Sequence, residues 1–100
     1  MEKTKTDRSR IARFKTKEPS LYHVIMHNDD ETTMDFVVMV LQRIFRKTAE
    51  DAEVIMMKIH IEGAAVVGTY SKDIATSKAN YTETLARQEG FPLKLTVEEV

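Results

Sequence analysis

Two short segments of this 100-residue chain carry most of the side chains that are suited to binding chemistry. The first, Asn28-Asp29-Asp30, sets an amide beside two carboxylates, and the second ends on His60, four residues after Met56. Amide, carboxylate and neutral imidazole groups all accept hydrogen bonds, and methionine adapts to bulky apolar shapes. If the two segments meet in space, they form a site for a cation attached to an apolar group.

A free α-amino group beside a bulky side chain is a ligand of this kind. Its reference pKa of roughly 7.7–8 leaves it mostly charged at neutral pH, with three N–H groups that need acceptors. Each charge-assisted hydrogen bond contributes about 1.5–3 kcal/mol, and burial of a large apolar side chain adds about 1.5–3 kcal/mol. We therefore expect micromolar-scale binding, and we expect acetylation of the amine to weaken it by several kcal/mol because the acceptors lose their partners. The candidate apolar wall consists of Met34, Val37, Met56, Ile59 and Leu93.

Short secondary-structure elements must position these segments. Residues 21–27 alternate as a strand does, with Tyr22, Val24 and Met26 on one face, and the polar run 28–30 ends that strand. Two more strands are predicted, one from residue 64 to 70 and one over the alternating residues 93, 95 and 97.

Three amphipathic helices separate the strands. The predicted N-caps are Thr32, Thr48 and Ser71, and the second and third helices are predicted to end at Gly63 and Gly90. The resulting fold class is α+β, with three helices packed on a small, mostly antiparallel three-stranded sheet in the order β-α-α-β-α-β. The predicted buried stripes are Phe36, Val37, Val40, Leu41, Ile44 and Phe45 in the first helix, Ala52, Ile55, Met56 and Ile59 in the second, and Ile74, Ala75, Ala79, Thr82, Leu85 and Ala86 in the third.

Charge divides the chain into two parts. Residues 1–17 hold seven basic and two acidic side chains, for a net charge of +5, and the remaining residues hold eight basic and fourteen acidic ones, for −6. We predict a disordered basic N-terminal extension over 1–18 and one core domain over 19–100. The extension suits either contact with an anionic surface or solubility alone. No cysteine, secretory signal or membrane span is evident, so we expect a cytoplasmic protein.

Other functions remain open at this point. The run 28–30 is also typical of an ordinary turn at a strand end. A metal enzyme could use His23 and His27 with the Asp29 and Asp30 carboxylates, although positions four apart on a strand lie about 13 Å from each other. A small nucleic-acid-binding protein could use the basic tail, but the acidic core opposes phosphate and no groove-reading motif is present.

Four separated motifs resemble the ClpS family, whose members are adaptors of the Clp protease. The similarity runs from about residue 19 to 97 with consistent order and spacing. The matching motifs are Asn28-Asp29-Asp30, Thr32-x-Met34-x-Phe36-Val37, Met56-x-x-Ile59-His60-x-x-Gly63 and Pro92-Leu93.

The resemblance implies a monomeric N-end-rule adaptor without cofactor, metal, membrane or nucleic-acid partner. It implies that substrates beginning with Leu, Phe, Tyr or Trp are delivered to a ClpA- or ClpC-type AAA+ unfoldase, whose N-terminal domain contacts Asp73 and Lys78. The N-terminal extension corresponds to a segment that engages the unfoldase during hand-off. By the same resemblance, Asn28, Asp29 and His60 bind the substrate α-amino group, and Asp30, Thr32, Met34, Val37, Met56, Ile59 and Leu93 line or border the side-chain pocket.

Three residues depart from what is common in the family. Thr33 replaces a frequent proline, Glu31 replaces a frequent aromatic residue, and Ile59 replaces a frequent valine. We expect Glu31 to make the rim of the pocket more acidic. We expect the extra methylene of Ile59 to narrow the pocket and lower its preference for the largest side chains.

Overall fold

The computed structural model describes residues 20–100, and its element order is the predicted β-α-α-β-α-β. The predicted extension over 1–18 and its boundary at Pro19 lie outside the described residues. The elements are β1 (Leu21–His27), α1 (Met34–Arg43), α2 (Ala49–Glu62), β2 (Ala64–Ser71), α3 (Lys72–Gln88) and β3 (Lys94–Glu99).

The three strands form one sheet in the order β2-β1-β3, and both strand pairs are antiparallel. The central strand β1 places Val24 opposite Gly68 on one side and Val97 on the other. A register shift in the pairing with β2 follows Val24. The predicted fold class is therefore confirmed, with a sheet that is antiparallel throughout.

The core lies between the helices and one face of the sheet. Val24 and Met26, which alternate along β1, are completely buried there, whereas the intervening His23 and Ile25 stay partly exposed. Helix α3 approaches the sheet with small side chains, because its buried positions are Ala75, Ala79, Thr82 and Ala86. The other buried apolar residues are Phe36, Val37, Val40, Leu41, Phe45, Ala52, Met56, Ile59, Ala65, Val67, Leu93 and Leu95.

Two predicted boundaries of α2 are confirmed. The Thr48 hydroxyl accepts a hydrogen bond from the Asp51 N–H at 3.1 Å, which satisfies one free donor at the start of the helix. Gly63 ends α2 with a φ of 93°, a left-handed conformation that glycine adopts without a side-chain clash, and its N–H donates to the Ile59 carbonyl.

Other local predictions are wrong or only partly right. Thr33, and not Thr32, caps α1, because the Thr33 hydroxyl accepts from the Phe36 N–H at 3.2 Å. Ser71 does occupy the N-cap position of α3, but its side chain makes no capping hydrogen bond. Ile74 is 50% exposed, although the sequence pattern places it in the buried stripe. The stripe that meets the sheet passes through Ala75 instead, and Ile74 lies one position around the helix.

Candidate functional site

A cavity of about 400 Å³ opens where β1 ends, α1 begins and α2 ends. It contains both predicted segments, so the prediction that they meet in space is confirmed. Its lining consists of Asn28, Asp29, Asp30, Glu31, Thr32, Thr33, Met34, Val37, Met56, Ile59 and His60.

One backbone hydrogen bond joins the two segments. The Asn28 N–H, just after β1, donates to the Gly63 carbonyl at 2.8 Å, just after α2. Because Gly63 follows the last turn of α2, this bond holds His60 in that turn near the Asn28 amide. The antiparallel pairing of β1 with β2 places His27 opposite Ala64 and continues the same alignment.

The Asp29 carboxylate organises the turn between β1 and α1. Its Oδ1 accepts from the Glu31 N–H at 2.8 Å and from the Thr32 N–H at 2.7 Å, and its Oδ2 accepts from the Thr32 hydroxyl at 2.7 Å. A carboxylate has about four acceptor sites, so about one remains for a ligand. These contacts also explain the helix start, because the Thr32 hydroxyl is engaged with Asp29 and Thr33 is left to cap α1.

The environment of Asp29 favours its charged form. Burial of the carboxylate acts in the opposite direction, but hydrogen bonds from Thr32 and Glu31 and the positive charge of Arg87 outweigh it. The pKa of Asp29 is consequently lowered from its ordinary value of 3.8. Asp30 and Glu31 add two more acidic side chains to the lining, and among the described residues no lysine or arginine lines the cavity.

The floor of the cavity is apolar. Val37, Met56 and Ile59 are buried, and they come from the facing sides of α1 and α2. Met34, the first residue of α1, is 45% exposed at the mouth, where its flexible side chain can move. The site thus combines a polar, negatively charged rim with an apolar interior, which suits a cation attached to a large apolar group.

Three predicted site residues lie outside the lining. Leu93 is 1% exposed and belongs to the buried core, so its contact with a ligand stays a prediction. Asp73 is exposed in the first turn of α3. Lys78 is partly buried, and its ammonium group donates to the Ile44 carbonyl at 2.7 Å.

Thr33 lines the cavity although it was not among the predicted site residues. Its position beside Met34 at the helix start was the available signal. The two histidines of the metal-enzyme alternative form side-chain hydrogen bonds to different strands. His23 contacts Thr69 of β2, and His27 contacts Thr96 of β3. Within residues 20–100, no group of three potential metal ligands is assembled, and no helix is long and apolar enough to cross a membrane.

Comparisons with known proteins agree with the geometry. Residues 17–96 match the family model of the ATP-dependent Clp protease adaptor protein ClpS. The ClpS adapter of Burkholderia cenocepacia is 51% identical over 85 residues, which cover 85% of this chain and 82% of that protein. The ClpS adapter of Lawsonia intracellularis is 49% identical over 86 residues, which cover 86% of this chain and 79% of that protein.

A solved structure extends the comparison to the fold. Agrobacterium tumefaciens ClpS2, bound to L-phenylalaninamide, superposes with a TM-score of 0.80 at 40% identity, covering 83% of this chain and all of that one. The family match begins before β1 and reaches into β3, and the two relatives share about half of their aligned residues with this chain. The chain therefore belongs to the ClpS family of ATP-dependent Clp protease adaptor proteins.

Proposed function

We propose that this chain is an N-end-rule adaptor that performs no reaction itself. It binds the free α-amino group and the large hydrophobic first side chain (Leu, Phe, Tyr or Trp) of a substrate, and it delivers that substrate to an AAA+ Clp unfoldase–protease. The observation that carries the proposal is that Asn28 and His60 line one cavity with three carboxylates and an apolar floor.

The α-amino group binds at the polar end of the cavity. The Asn28 amide oxygen and a His60 ring nitrogen accept two of its three N–H bonds, and the remaining acceptor site of Asp29 takes the third. The exposed Asp30 adds negative charge, and Thr32 borders the pocket while it holds Asp29 in place. Acetylation removes the positive charge and two donors of the amine, and it leaves these acceptors without partners.

The first side chain enters between Val37, Met56 and Ile59, with Met34 at the mouth. The family resemblance implies that the residue matching Met34 disfavours β-branched first residues, so we expect Val and Ile to be poor first residues. The extra methylene of Ile59 narrows the floor, so we also expect Leu-starting peptides to bind better than Trp-starting ones, and equal affinities would contradict this hypothesis. The phenylalaninamide bound to Agrobacterium ClpS2 supports the general scheme. It has a free amine beside an aromatic side chain, and its amide stands where a peptide would continue.

A ClpA- or ClpC-type N-terminal domain docks on α3 through Asp73 and Lys78. These residues are five positions apart and therefore point about 140° from each other around the helix. Asp73 is the better probe, because it is exposed and the Lys78 ammonium is engaged with Ile44. We expect Asp73→Ala to weaken binding of the isolated unfoldase domain and Glu89→Ala, which removes an exposed carboxylate at the opposite end of α3, to leave it unchanged. If both variants bind the domain equally well, Asp73 is not part of the interface.

The proposal further describes a cytoplasmic monomer that needs no cofactor. Substrate, adaptor and unfoldase must meet in one compartment for delivery to occur. Analytical ultracentrifugation of the purified chain should give the mass of one copy, and a concentration-dependent dimer would contradict the monomer.

The decisive experiment is calorimetric titration with peptides that differ only in their first residue, each with a free or an acetylated amine. Free Phe and Leu peptides should bind with micromolar-scale affinity, Val and Ser peptides should bind weakly, and acetylation should reduce affinity at least tenfold. His60→Ala should weaken binding, whereas His23→Ala, which removes an imidazole from the sheet far from the cavity, should not. A flat response across Leu, Phe, Val and Ser would overturn the proposal.

A further inference from the structure

Arg87 lies in the last turn of α3 and does not line the cavity. Its Nη1 donates to the Phe91 carbonyl at 2.9 Å and to the Leu93 carbonyl at 2.8 Å. One guanidinium nitrogen thus holds two carbonyl groups, two residues apart, in the loop between α3 and β3. This loop delivers Leu93 into the core.

The fixed loop packs against the start of α1. The Phe91 ring meets the Phe36 ring edge to face, with centroids 5.1 Å apart and an interplanar angle of 66°. The Phe36 N–H is the donor that Thr33 caps. Because Thr33 and Val37, on either side of Phe36 in the sequence, line the cavity, the position of the loop is transmitted to the cavity wall.

Arg87 also influences the turn through its charge. Its positive charge helps to lower the pKa of Asp29, whose carboxylate accepts the three hydrogen bonds from Glu31 and Thr32 that define the turn. The loop contacts and the charge therefore converge on one structure, the turn over residues 28–34 that forms the rim of the cavity.

We propose that Arg87 is a positioning residue of the substrate pocket, which holds the loop between α3 and β3, sets the α1 wall through Phe91 and thereby acts on the turn over residues 28–34. This inference rests on the proposed function, because the pocket that Arg87 shapes is the one that takes the substrate's first residue. Arg87 does not line the cavity, so it acts on the pocket through the loop and the turn.

A purely local role for Arg87 makes different predictions. A basic residue in the last turn of a helix interacts favourably with the helix dipole and satisfies free carbonyl groups. Loss of that role alone would lower stability, but it would not change the titration of a carboxyl group in another segment. The titration of Asp29 in the free protein therefore separates the two roles and does not depend on any ligand.

Two substitutions divide the functions of Arg87. Arg87→Lys keeps the positive charge but loses the geometry that reaches two carbonyls from one nitrogen, whereas Arg87→Gln keeps a donor and loses the charge. Arg43→Gln is the matched control, because Arg43 is also an exposed arginine in the last turn of a helix and lies outside the cavity.

The titration midpoint of Asp29 is measured by NMR of its carboxyl carbon in each full-length variant, and the affinity for a Phe-starting peptide is measured at several pH values. Arg87→Gln should raise the midpoint of Asp29, weaken binding about tenfold at pH 7 and move the acid limb of binding to higher pH. Arg87→Lys should leave the midpoint near that of the wild type and weaken binding about threefold. The other ionisable groups that line the cavity, Asp30, Glu31 and His60, are the same in all variants.

An unchanged Asp29 midpoint in Arg87→Gln would overturn the inference, as would affinities of both Arg87 variants equal to those of Arg43→Gln. If wild-type protein fails to distinguish free from acetylated peptides, the proposed function fails instead. The midpoints still decide whether Arg87 acts on the turn. If Arg87→Gln does not fold, the comparison of Arg87→Lys with Arg43→Gln still tests the loop contacts through affinity.

Discussion

Replacement of Asp29 by asparagine tests whether its carboxylate holds the rim of the pocket. In the wild type, Asp29 accepts two backbone N–H bonds from Glu31 and Thr32 and the hydroxyl bond of Thr32, all at 2.7–2.8 Å. Asparagine has the same shape but supplies only one oxygen. With that oxygen in the Oδ1 position, its NH₂ group faces the Thr32 hydroxyl, which must rotate and become an acceptor.

The expected loss of stability follows from the change in bond type. Hydrogen bonds to a charged group contribute about 1.5–3 kcal/mol and neutral ones about 0.5–1.5 kcal/mol, so each converted bond loses about 1 kcal/mol. Three bonds set an upper limit of about 3 kcal/mol. Because Asp29 is only partly buried, water replaces part of this interaction. We expect Asp29→Asn to lower the free energy of unfolding by about 1–2 kcal/mol at pH 7.

Urea denaturation measures this change, and Asp30→Asn is the matched control. Asp30 is exposed and has the same charge, but none of the three turn hydrogen bonds ends on it. Thr32→Val should cost less than Asp29→Asn, and the double variant should cost less than the sum, because both changes act on the same hydroxyl bond, which Thr32→Val removes and Asp29→Asn weakens. Equal stabilities of the Asp29→Asn and Asp30→Asn proteins would refute the argument that the Asp29 carboxylate organises the turn.

Three other predictions concern the Asp29 turn, the mouth of the cavity and strand β2. Because the pKa of Asp29 is lowered in the folded protein, its stabilising contribution is complete above the ordinary value of 3.8 and is lost as the pH falls through the lower folded value. The difference in unfolding free energy between wild type and Asp29→Asn should then be constant from about pH 7 to 5 and shrink below about pH 4. Met34→Ala should raise the affinity of Val-starting relative to Leu-starting peptides several-fold in a fluorescence-anisotropy titration, and Met57→Ala, which truncates an exposed methionine outside the cavity, should leave this ratio unchanged. Gly68→Ala should lower stability by about 1–3 kcal/mol in thermal unfolding, because the new Cβ would lie 2.6 Å from ring carbons of Tyr70; an unchanged melting temperature would contradict this clash.

Periodicity in the sequence was sufficient to predict the order and type of all six elements. Alternation in β1 identified Val24 and Met26 as the buried face, and the stripe of α1 identified Phe36 and Val40. Thr48 could be placed as a cap because no nearby side chain competes for its hydroxyl in the structure. Local signals succeed where the local backbone alone decides the geometry.

The cap of α1 shows why other boundaries were missed. Thr32 and Thr33 are both good capping residues, and local sequence rules cannot rank them. Asp29 decides between them, because its carboxylate takes the Thr32 hydroxyl and leaves Thr33 as the cap. Ile74 was missed for a different reason. Helix α3 lies close to the sheet, so it presents Ala75 and leaves the larger, more hydrophobic neighbour exposed.

The candidate site depends on a contact between two distant segments of the chain, which local sequence patterns do not predict. The bond between the Asn28 N–H and the Gly63 carbonyl joins segments that are far apart in the chain. The residue types suggested a shared site only on the condition that the two segments meet, and the family resemblance supplied the expectation that Asn28 and His60 do so. The resemblance could not show that the Leu93 side chain is buried in the free protein, and its contact with a ligand stays a prediction.

Lys78 extends this argument to the docking surface. The sequence alone suggests that Lys78 lies on a solvated helix face. In the structure, its ammonium group donates a hydrogen bond to the Ile44 carbonyl at the end of α1 and lies 5.3 Å from the centre of the Tyr70 ring. The last carbonyls of a helix lack partners within it, so a lysine from another helix that supplies one stabilises the packing of the two. If a Lys78 variant binds the unfoldase domain more weakly, the loss could therefore come from a missing contact with that domain or from a change in the position of α1. Asp73 is exposed in the first turn of α3 and makes no comparable contact with another helix among the described residues, so it is the more direct test of the proposed docking.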